Sequence, residues 1–378
     1  MGRAAAESGV DAGSGDLRVA VADASDDADL RALLRSNPMG GWVSLSLERE
    51  PTYFAPRAGS EEHQAIIARD TRSGAGIGMC ARSVWPAYID GVVRSLGYIG
   101  ELRVAPKYRH RYRVIREGFA ALRSELHEPS RTPFYLSAIV ADNHAARRLL
   151  EADLPGKPRY VPFATYCILA LQTRRRTHGD VNFGTAEDVP QIAACLARNH
   201  ARYQFAPHWS EADLRNASAG GGPGAQDFVL ARSGGRVVGC IALRDQRPVQ
   251  QVVVRGYRPP LQQLRPFLNL IGRIGGLPQL PAPGQALRQV FLGLTTVDDD
   301  DPGLLTDLVD GALSAAARRG VDVAVIGMAE ANPMLPALRR AFRHREYKSQ
   351  LYLVHWDDGR DAVQALEPRI PHVEACLL

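Results

Sequence analysis

The segment Val104 to Phe119, VAPKYRHRYRVIREGF, contains the side chains whose types and spacing are best suited to binding an anion. An apolar run and a proline come first and a helical pattern follows, so a loop entering a helix is predicted here. The first N–H groups of a helix lack partners within it, and the helix dipole is positive at that end. Six cations surround this position with no acid between the first and the last: Arg103, Lys107, Arg109, Arg111, Arg113 and Arg116. The segment therefore predicts a polyphosphate site, and the alternative is a solvated basic helix face.

A second segment, Val290 to Ala317, takes the same relative place later in the chain and has the opposite charge. It contains six acids and no cation: Asp298, Asp299, Asp300, Asp301, Asp307 and Asp310. An aspartate about 6 Å from a phosphate charge costs roughly 3 kcal/mol at an effective dielectric constant of about 20. We therefore expect the first segment to bind a polyphosphate and the second to exclude it.

The elements around these two segments follow the same order, which indicates an internal repeat. Each half reads as a short strand, a capped helix, two strands about a glycine turn, an apolar strand, a helix, a strand, a short helix after an asparagine, and a final strand. The helix starts at Ser25 and Thr185 are 160 residues apart, and Gly78 and Gly239 are 161 apart. The sequence thus predicts two copies of an α+β unit, each with a mixed sheet flanked by helices. The alternative is one large α/β domain.

The repeat sets the expected domain boundaries. We expect a disordered tail over 1–16, an N-terminal domain over 17–176, a C-terminal domain over 177–358 and a C-terminal tail over 359–378. A linker is expected near 172–180. Residues 244–289 are Pro-rich and basic and have no counterpart in the first half, so they are predicted to be an insertion in the second copy. A length of 378 residues fits two domains of roughly 150 to 200 residues.

Composition narrows the class of protein further. No run of about 18 apolar residues exists and residues 1–16 lack the core of a signal peptide, so we expect a cytoplasmic protein without membrane contact. Five scattered cysteines lack the spacing of a disulfide framework or a zinc site, so no metal is expected. The basic excess is local, with 24 Lys+Arg against 17 Asp+Glu in 17–176 and 19 against 18 in 177–358. No nucleic-acid-binding motif accompanies it, so no nucleic-acid partner is expected.

The stretch LRVAPKYRHRYRV resembles the pyrophosphate-binding segment of the GNAT superfamily of acyl-CoA-dependent N-acyltransferases. In that family a strand and Val-x-Pro lead into Arg/Gln-x-x-Gly-x-Gly/Ala at a helix start. The later stretch NHAARRLLEADLPGKPRYVPFATYCILAL resembles the family's Asn-x-x-Ala-x-x-Leu helix and closing strands. The resemblance covers about 17–171, and the second copy has the same outline over 181–356 less specifically. The chain thus resembles a tandem GNAT protein whose second domain is degenerate.

The resemblance implies roles for particular residues and an acyl-CoA co-substrate, acetyl-CoA or another acyl-CoA. Main-chain groups of the strand would pair with the pantetheine arm and help to polarise the thioester: Leu102, Arg103 and Val104. The loop and helix start would hold the pyrophosphate: Arg109, His110, Arg111, Tyr112, Arg113 and Val114. Asn143 would approach the cofactor from the end of the next strand. Tyr112 and Val114 depart from the family pattern because glycines are usual there, and Leu150 stands where many members have a tyrosine general acid.

Acyl transfer from a thioester to an amine needs a neutral amine, a polarised carbonyl and a route for protons. Glu101 lies on the strand expected to carry the pantetheine, and strand alternation places it on the face opposite Leu102. It is the candidate base, and the alternative is an ion-paired glutamate at a strand edge. The candidates for the missing acid are Tyr98, Tyr160 and Tyr166, with packing as the alternative role.

The acceptor pocket is expected to include the segment 37–54. Its paired glycines, Gly40 and Gly41, allow a tight loop, and Glu48 and Glu50 could hold a cationic amine, with an ordinary exposed strand as the alternative. Tyr98 is assigned to the same pocket as a substrate contact.

Together these observations predict a transferase, an acyl-CoA-dependent N-acyltransferase and most directly an N-acetyltransferase. The expected acceptor is a primary amine of a small molecule or an amino-acid-like compound. The alternative is a non-catalytic, GNAT-derived CoA-binding or scaffold protein. The oligomeric state is left open by the sequence.

Overall fold

The computed structural model describes residues 16–57, 59–174, 181–217, 221–274 and 279–378, with only the backbone for 271–274. Most of the expected N-terminal tail and residues 175–180 of the expected linker lie outside the described residues. The strands of the first half are β1 Leu17–Val21, β2 Val43–Glu48, β3 Glu62–Asp70, β4 Gly76–Ile89, β5 Val92–Val104, β6 Tyr135–Val140 and β7 Arg159–Gln172. Its helices are α1 Asp27–Arg35, α2 Tyr112–Leu126 and α3 His144–Glu151.

The second half repeats this order in part and adds the predicted insertion. The short strand expected before its first helix is not formed, because Phe183 makes only an isolated bridge with Val229. Its strands are β8 Phe228–Ser233, β9 Arg236–Arg244, β10 Gln251–Tyr257, β11 Gln289–Val297, β12 Val323–Ala329 and β13 His344–His355. Its helices are α4 Val189–His200, α5 Glu211–Asn216, α6 Leu261–Ile274, α7 Pro302–Arg318, α8 Leu335–Ala341 and α9 Arg360–Gln364.

Eleven strands form one mixed sheet in the order β1-β3-β4-β5-β6-β13-β7-β12-β11-β9-β8. Strand β13, the last strand of the second repeat, lies between β6 and β7 and pairs antiparallel with both. Strand β7, the last of the first repeat, pairs antiparallel with β12 along its C-terminal part. The final strand of each repeat thus completes the other repeat's part of the sheet. The expected α+β fold with a mixed sheet is confirmed.

Helices α1 and α2 cover opposite faces of the first half of this sheet. The apolar residues of α2 recur every three or four positions and pack against Ile66 and Cys80. The leucines of α1 pack instead against Ala65, Ile67 and Met79. Neighbouring residues of a strand point to opposite faces of the sheet. Since α2 contacts Ile66 and α1 contacts Ile67, the two helices lie on opposite faces.

The insertion and the C-terminal segment both pack against the first half. Strand β10 of the insertion pairs antiparallel with β2, which makes a separate two-stranded sheet. The C-terminal segment, whose state the sequence left open, packs Val373 and Leu377 into the core that contains Trp85 and Tyr98. In the described part of the chain, no helix is both long and apolar enough to cross a membrane.

Candidate active site

The parallel strands β5 and β6 separate soon after they pair. Their register consists of Gly97 opposite Tyr135 and Tyr98 opposite Leu136, although β5 continues to Val104 and β6 continues to Val140. Paired strands normally stay about 4.8 Å apart along their length. The separation leaves a space between them, which we call the β5–β6 gap.

A β-bulge in β5 lies beside this gap. Met79 of β4 is opposite Arg103 and Ala81 is opposite Gly100, so residues 101 and 102 of β5 face the single residue Cys80 and β5 contains one extra residue. Glu101 has φ of +52°, in the left-handed region that non-glycine residues rarely adopt. The bulge interrupts the ladder of backbone hydrogen bonds and turns the Glu101 carboxylate into the protein, where its side chain is 6% exposed.

The buried carboxylate of Glu101 is surrounded by polar side chains. The Tyr53 hydroxyl donates a hydrogen bond of 2.6 Å to Oε2, and a guanidinium nitrogen of Arg57 lies 3.7 Å from Oε1. Burial alone would raise the pKa of Glu101, but the charges of Arg57 and Arg49 together with the Tyr53 hydrogen bond lower it to about 2. The carboxylate is therefore ionised at neutral pH.

The imidazole of His63 completes this cluster. It lies 2.9 Å from the Ser83 hydroxyl and 3.3 Å from a guanidinium nitrogen of Arg49. Burial lowers the pKa of His63 to about 3, so the ring is neutral at pH 7. A neutral ring that accepts from Arg49 through Nε2 carries its proton on Nδ1 and donates it to Ser83.

Several buried polar atoms near Glu101 have no hydrogen-bond partner among the described residues. They are Glu101 Oε1, Arg49 Nε and Arg103 Nε. Buried polar atoms are normally satisfied by protein or by ordered water. Their concentration at the bulge is typical of a site where bound water or a ligand supplies the missing partners.

Tyr98 reaches from β5 towards β6. Its ring centre lies 5.9 Å from that of Trp85, and its hydroxyl makes a hydrogen bond with the backbone of Ala138. Burial raises the pKa of Tyr98 to about 12, so the hydroxyl keeps its proton at neutral pH. The structure thus brings Tyr98 and Glu101 to the same part of the gap.

The basic loop lies at the start of α2, as the sequence predicted. Arg109, His110 and Arg111 are exposed between a short 3₁₀ turn and the first residue of α2. Arg111 is the N-cap residue and makes no side-chain capping hydrogen bond. Arg109 donates to Asn37 Oδ1 at 2.8 Å, so it links the loop to the end of α1.

The two side chains that depart from the family pattern are directed away from the helix start. The Tyr112 hydroxyl donates to the Pro155 carbonyl at 3.1 Å. Val114 is buried against Ala68, and a Cβ on Gly78 would lie 2.8 Å from its Cγ1. Glycine at position 78 therefore makes room for the valine. Arg113 lies 3.9 Å from Glu117 within α2.

Arg103 turns inwards from the strand, unlike the other cations of the segment. It donates to the Leu102 carbonyl at 3.0 Å, and burial lowers its pKa while Glu101 raises it. Arg103 thus contributes charge to the bulge and not to the exposed loop. Val104 lines a narrow apolar cleft between β3, β4, β5 and α2 that also contacts Leu102.

The second copy contains the same bulge but not the same surroundings. Leu294 has φ of +47° at the matching shift between β9 and β11. Its backbone N–H donates to the carboxylate of Glu374, and Arg244 lies 2.6 Å from that carboxylate with both side chains almost fully buried. The C-terminal segment of the chain thus fills the bulge of the second copy.

The start of α7 is also satisfied from within the chain. Asp301 is its N-cap and accepts from the N–H groups of Gly303 and Leu304 at 2.8 and 3.1 Å. Asp298 pairs with Arg198 at 2.8 Å, and Asp300 pairs with Arg202 at 2.7 Å. Three of the acids that the sequence placed here therefore cap the helix or bind Arg198 of α4 and Arg202 just after α4.

The remaining predicted residues have partners in the protein. Asn143 is the N-cap of α3 and accepts from the Ala146 N–H at 3.2 Å. Glu48 is buried and pairs with Arg255 and Arg35. Glu50 pairs with Arg31 and Arg35, each at 2.6 Å. Their roles in binding cofactor and acceptor stay predictions, and an acceptor amine would compete with these arginines.

The other tyrosine candidates contact the core and the C-terminal segment. The Tyr166 hydroxyl donates to the Val373 carbonyl at 2.7 Å, which favours the packing role. The ring of Tyr160 packs against Phe119 and Tyr352. Leu150 is buried in the same core.

Sequence reasoning missed Tyr53, Arg57 and the placement of His63 beside Glu101. These residues are 38 to 48 positions away from Glu101 along the chain, so no local spacing links them. Strand pairing brings them together, with His63 opposite Ser83 on the neighbouring strand. The only signal was the alternation of β3, which places His63 on the same face as Ala65 and Ile67.

No protein-family model matches the sequence, and no curated protein does. Crystal structures of Saccharomyces cerevisiae N-myristoyltransferase with bound myristoyl-CoA are similar, with TM-scores of 0.57 and 0.58 and 11% identity. The matched regions cover 90% of this chain in both comparisons, and 83% and 78% of the enzyme chains. A GCN5-related glucosamine N-acetyltransferase region in a fungal multi-domain GH3 β-N-acetylglucosaminidase gives a TM-score of 0.56 at 15% identity, over 91% of this chain and 39% of that one. N-myristoyltransferase is a two-domain GNAT-fold protein, so the expected tandem GNAT fold is confirmed for this chain.

Proposed function

We propose that the protein is an N-acyltransferase that moves an acyl group from an acyl-CoA to a primary amine. The observation that carries the proposal is the buried, ionised Glu101 at a bulge beside an open gap between parallel strands. The uncapped, cationic start of α2 lies at the end of the same strand and suits a pyrophosphate. Similar structures contain bound myristoyl-CoA, which supports a CoA thioester as the donor.

The first half alone is proposed to bind the donor. Leu102, Arg103 and Val104 would contact the pantetheine through the backbone, and residues 109–114 would hold the pyrophosphate with Asn143 nearby. In the second half Asp301 caps the corresponding helix and Glu374 fills the corresponding bulge. A phosphate there would have to displace the Asp301 carboxylate from the helix start. The second half is thus proposed to support the sheet and shape the acceptor side.

The low pKa of Glu101 limits the catalytic roles that this carboxylate can have. Transfer of a proton from an alkylammonium ion to a carboxylate of pKa about 2 is uphill by roughly 8 units, or about 11 kcal/mol. Glu101 is therefore a poor acceptor for the proton of the amine. We propose that it accepts a hydrogen bond from the neutral amine and stabilises the positive charge that develops as nitrogen attacks the thioester carbon. The proton then leaves to water, and the thiolate leaves directly or takes a proton from Tyr98.

Acetyl-CoA and a small or amino-acid-like amine are the proposed substrates, as the sequence suggested. The acyl length and the acceptor can be tested together by measuring thiol release from acetyl-CoA and longer acyl-CoAs with a panel of amines. Thiol release that depends on the amine supports an enzyme. Binding of CoA thioesters without thiol release from any pair would favour the non-catalytic CoA-binding protein.

Two variants test the assigned positions. Arg111→Glu should raise KM for the acyl-CoA at least tenfold, because a charged hydrogen bond contributes about 1.5–3 kcal/mol. Arg72→Glu is the matched control, since Arg72 is highly exposed on the turn between β3 and β4. Glu101→Gln should lower kcat by about 10²-fold. Normal turnover by Glu101→Gln would refute its catalytic role, and an unchanged KM in Arg111→Glu would refute the phosphate site.

A further inference from the structure

Helix α6 of the insertion exposes its apolar side and keeps its polar side on the protein. Leu264, Phe267, Leu268 and Leu270 are 47%, 60%, 41% and 58% exposed, and we call these four residues the α6 apolar face. The half-buried positions are instead Leu261, Arg265 and Asn269, spaced by four residues. This arrangement is the reverse of an ordinary surface helix, whose apolar stripe faces the core.

Polar contacts hold α6 in this orientation. The Asn269 side chain exchanges two hydrogen bonds with the backbone of Leu280, at 2.8 and 3.0 Å. Arg265 donates to the same Leu280 carbonyl at 3.4 Å. Rotation of the helix to bury its leucines would break these bonds, so the exposed face is fixed by the fold.

A further exposed apolar residue, Trp42, lies next to the start of α6. The Trp42 carbonyl accepts from the Arg258 N–H at 3.0 Å, and Trp42 is 68% exposed. Tryptophan is favoured at membrane–water interfaces, where its ring is partly apolar and its N–H can reach water. Trp42 thus adds an exposed apolar residue close to the start of α6.

Helix α6 and the residues next to it contain cations and no acid. No Asp or Glu occurs between Asp245 and Asp298. Of the six arginines in this stretch, Arg247, Arg255 and Arg288 pair with Asp245, Glu48 and Asp322. The sequence of α6 itself includes Arg265 and Arg273, and Arg258 precedes it. Arg258 is exposed immediately before α6. A helix with Leu and Phe on one side and arginines around it has the chemistry of an interfacial helix that binds anionic lipid.

We infer that the α6 apolar face docks on an anionic lipid surface. A second copy of this chain fits less well, because a symmetric contact through the same face would bring the cations in and next to α6 of the two copies close together. No membrane contact is expected from the sequence because it lacks a spanning segment, but surface binding does not need one. Strand β10 pairs with β2, and Gln251 is hydrogen-bonded to Glu50, so the docking helix is connected to the segment that contains Arg49 and Tyr53.

Vesicle co-sedimentation of the full chain tests this inference without any activity measurement. Phosphatidylcholine vesicles that contain phosphatidylglycerol should bind the protein, and added sodium chloride should weaken the binding. Vesicles of phosphatidylcholine alone should bind it several-fold less. The double variant Leu264→Ser, Phe267→Ser should weaken binding about 30-fold, from the apolar area that it removes.

Matched variants separate docking from general effects. Val92→Ser with Val93→Ser changes two exposed apolar residues outside the α6 apolar face and should leave vesicle binding unchanged. Arg258→Glu keeps every apolar residue and should weaken binding several-fold. The inference is overturned by equal binding to both vesicle types, by no binding, or by unchanged binding of the Leu264, Phe267 variant. A concentration-dependent dimer that this variant abolishes, without vesicle binding, would identify a second copy as the occupant and would also overturn it.

Discussion

The ion pair between Glu101 and Arg57 gives the sharpest test of the site's architecture. The two side chains are 6% and 8% exposed, and their closest charged atoms are 3.7 Å apart. At an effective dielectric constant of about 20 this attraction is roughly 4 kcal/mol before the cost of desolvation. Breaking a buried pair by removing one member usually destabilises a protein by about 3–5 kcal/mol, because the other charge is left buried.

Glu101→Gln should therefore lower the free energy of unfolding by about 3 kcal/mol or more. Arg57→Met should have an effect of similar size, because it leaves the Glu101 charge buried and also removes the 3.2 Å hydrogen bond to Gln250. The double variant should lose less than the sum of the two, with a coupling energy of about 2 kcal/mol. Urea-induced unfolding followed by tryptophan fluorescence measures all three, since Trp85 is buried in the adjoining core.

Glu125→Gln is the control for this cycle, because Glu125 is exposed on α2 and its replacement should change stability by less than about 0.5 kcal/mol. A coupling energy below about 0.5 kcal/mol would refute the buried pair. Glu101→Gln with the stability of the unchanged protein would do the same. Either result would also remove the reason for the low pKa of Glu101, and with it the proposed role in stabilising charge.

Three further predictions concern the second copy and pH. Glu374→Ala should lower the free energy of unfolding by about 3–5 kcal/mol because Arg244 loses its buried partner, and an unchanged urea midpoint would contradict this. Asp301→Ala should cost about 1 kcal/mol as a lost helix cap while leaving acyl-CoA affinity unchanged, and weaker binding by calorimetry would place the donor in the second half. His63 has a folded pKa of about 3 against 6.5 when unfolded, so the unfolded chain binds the proton first and stability falls as pH drops below about 6.5. His63→Gln should reduce that fall by about 1.4 kcal/mol per pH unit between about pH 6 and 5.

The sequence predicted the repeat and its elements because each depends on local pattern. The turn glycines, the helix caps and the apolar spacing of α2 are encoded within about fifteen residues of one another. The exchange of β7 and β13 between the repeats was not predictable in this way. Both final strands show the same apolar pattern, and pairing with either repeat would bury the same residues, so the choice is made by long-range contacts.

The candidate site was predicted in part for the same reason. Glu101 and the loop from Arg109 to Val114 lie on one strand and the helix that follows it, so a family motif could locate them. The partners that set the pKa of Glu101 come from a loop and a strand far away in the chain. Reasoning from the local sequence also assigned Glu48 and Glu50 to binding an amine. In the structure Glu50 pairs with Arg31 of α1, and Glu48 pairs with Arg35 of α1 and Arg255 of β10.

Comparison of the bulges at Glu101 and Leu294 suggests a chemical role for the one at Glu101. Each has a non-glycine residue at positive φ, Glu101 in one and Leu294 in the other, which costs about 1–3 kcal/mol and persists only where the surroundings compensate. In the second copy the compensation is visible, because the freed Leu294 N–H donates to the Glu374 carboxylate. A bulge N–H in this fold thus binds an anionic oxygen when one is supplied. By the repeat, the first bulge presents the same geometry to the β5–β6 gap, where the proposed reaction would place negative charge on the oxygen of the thioester carbonyl. The bulge at Leu294, which Glu374 fills, is therefore the physical precedent for the bulge at Glu101. A crystal structure in which the Glu374 carboxylate does not contact Leu294 would contradict this comparison.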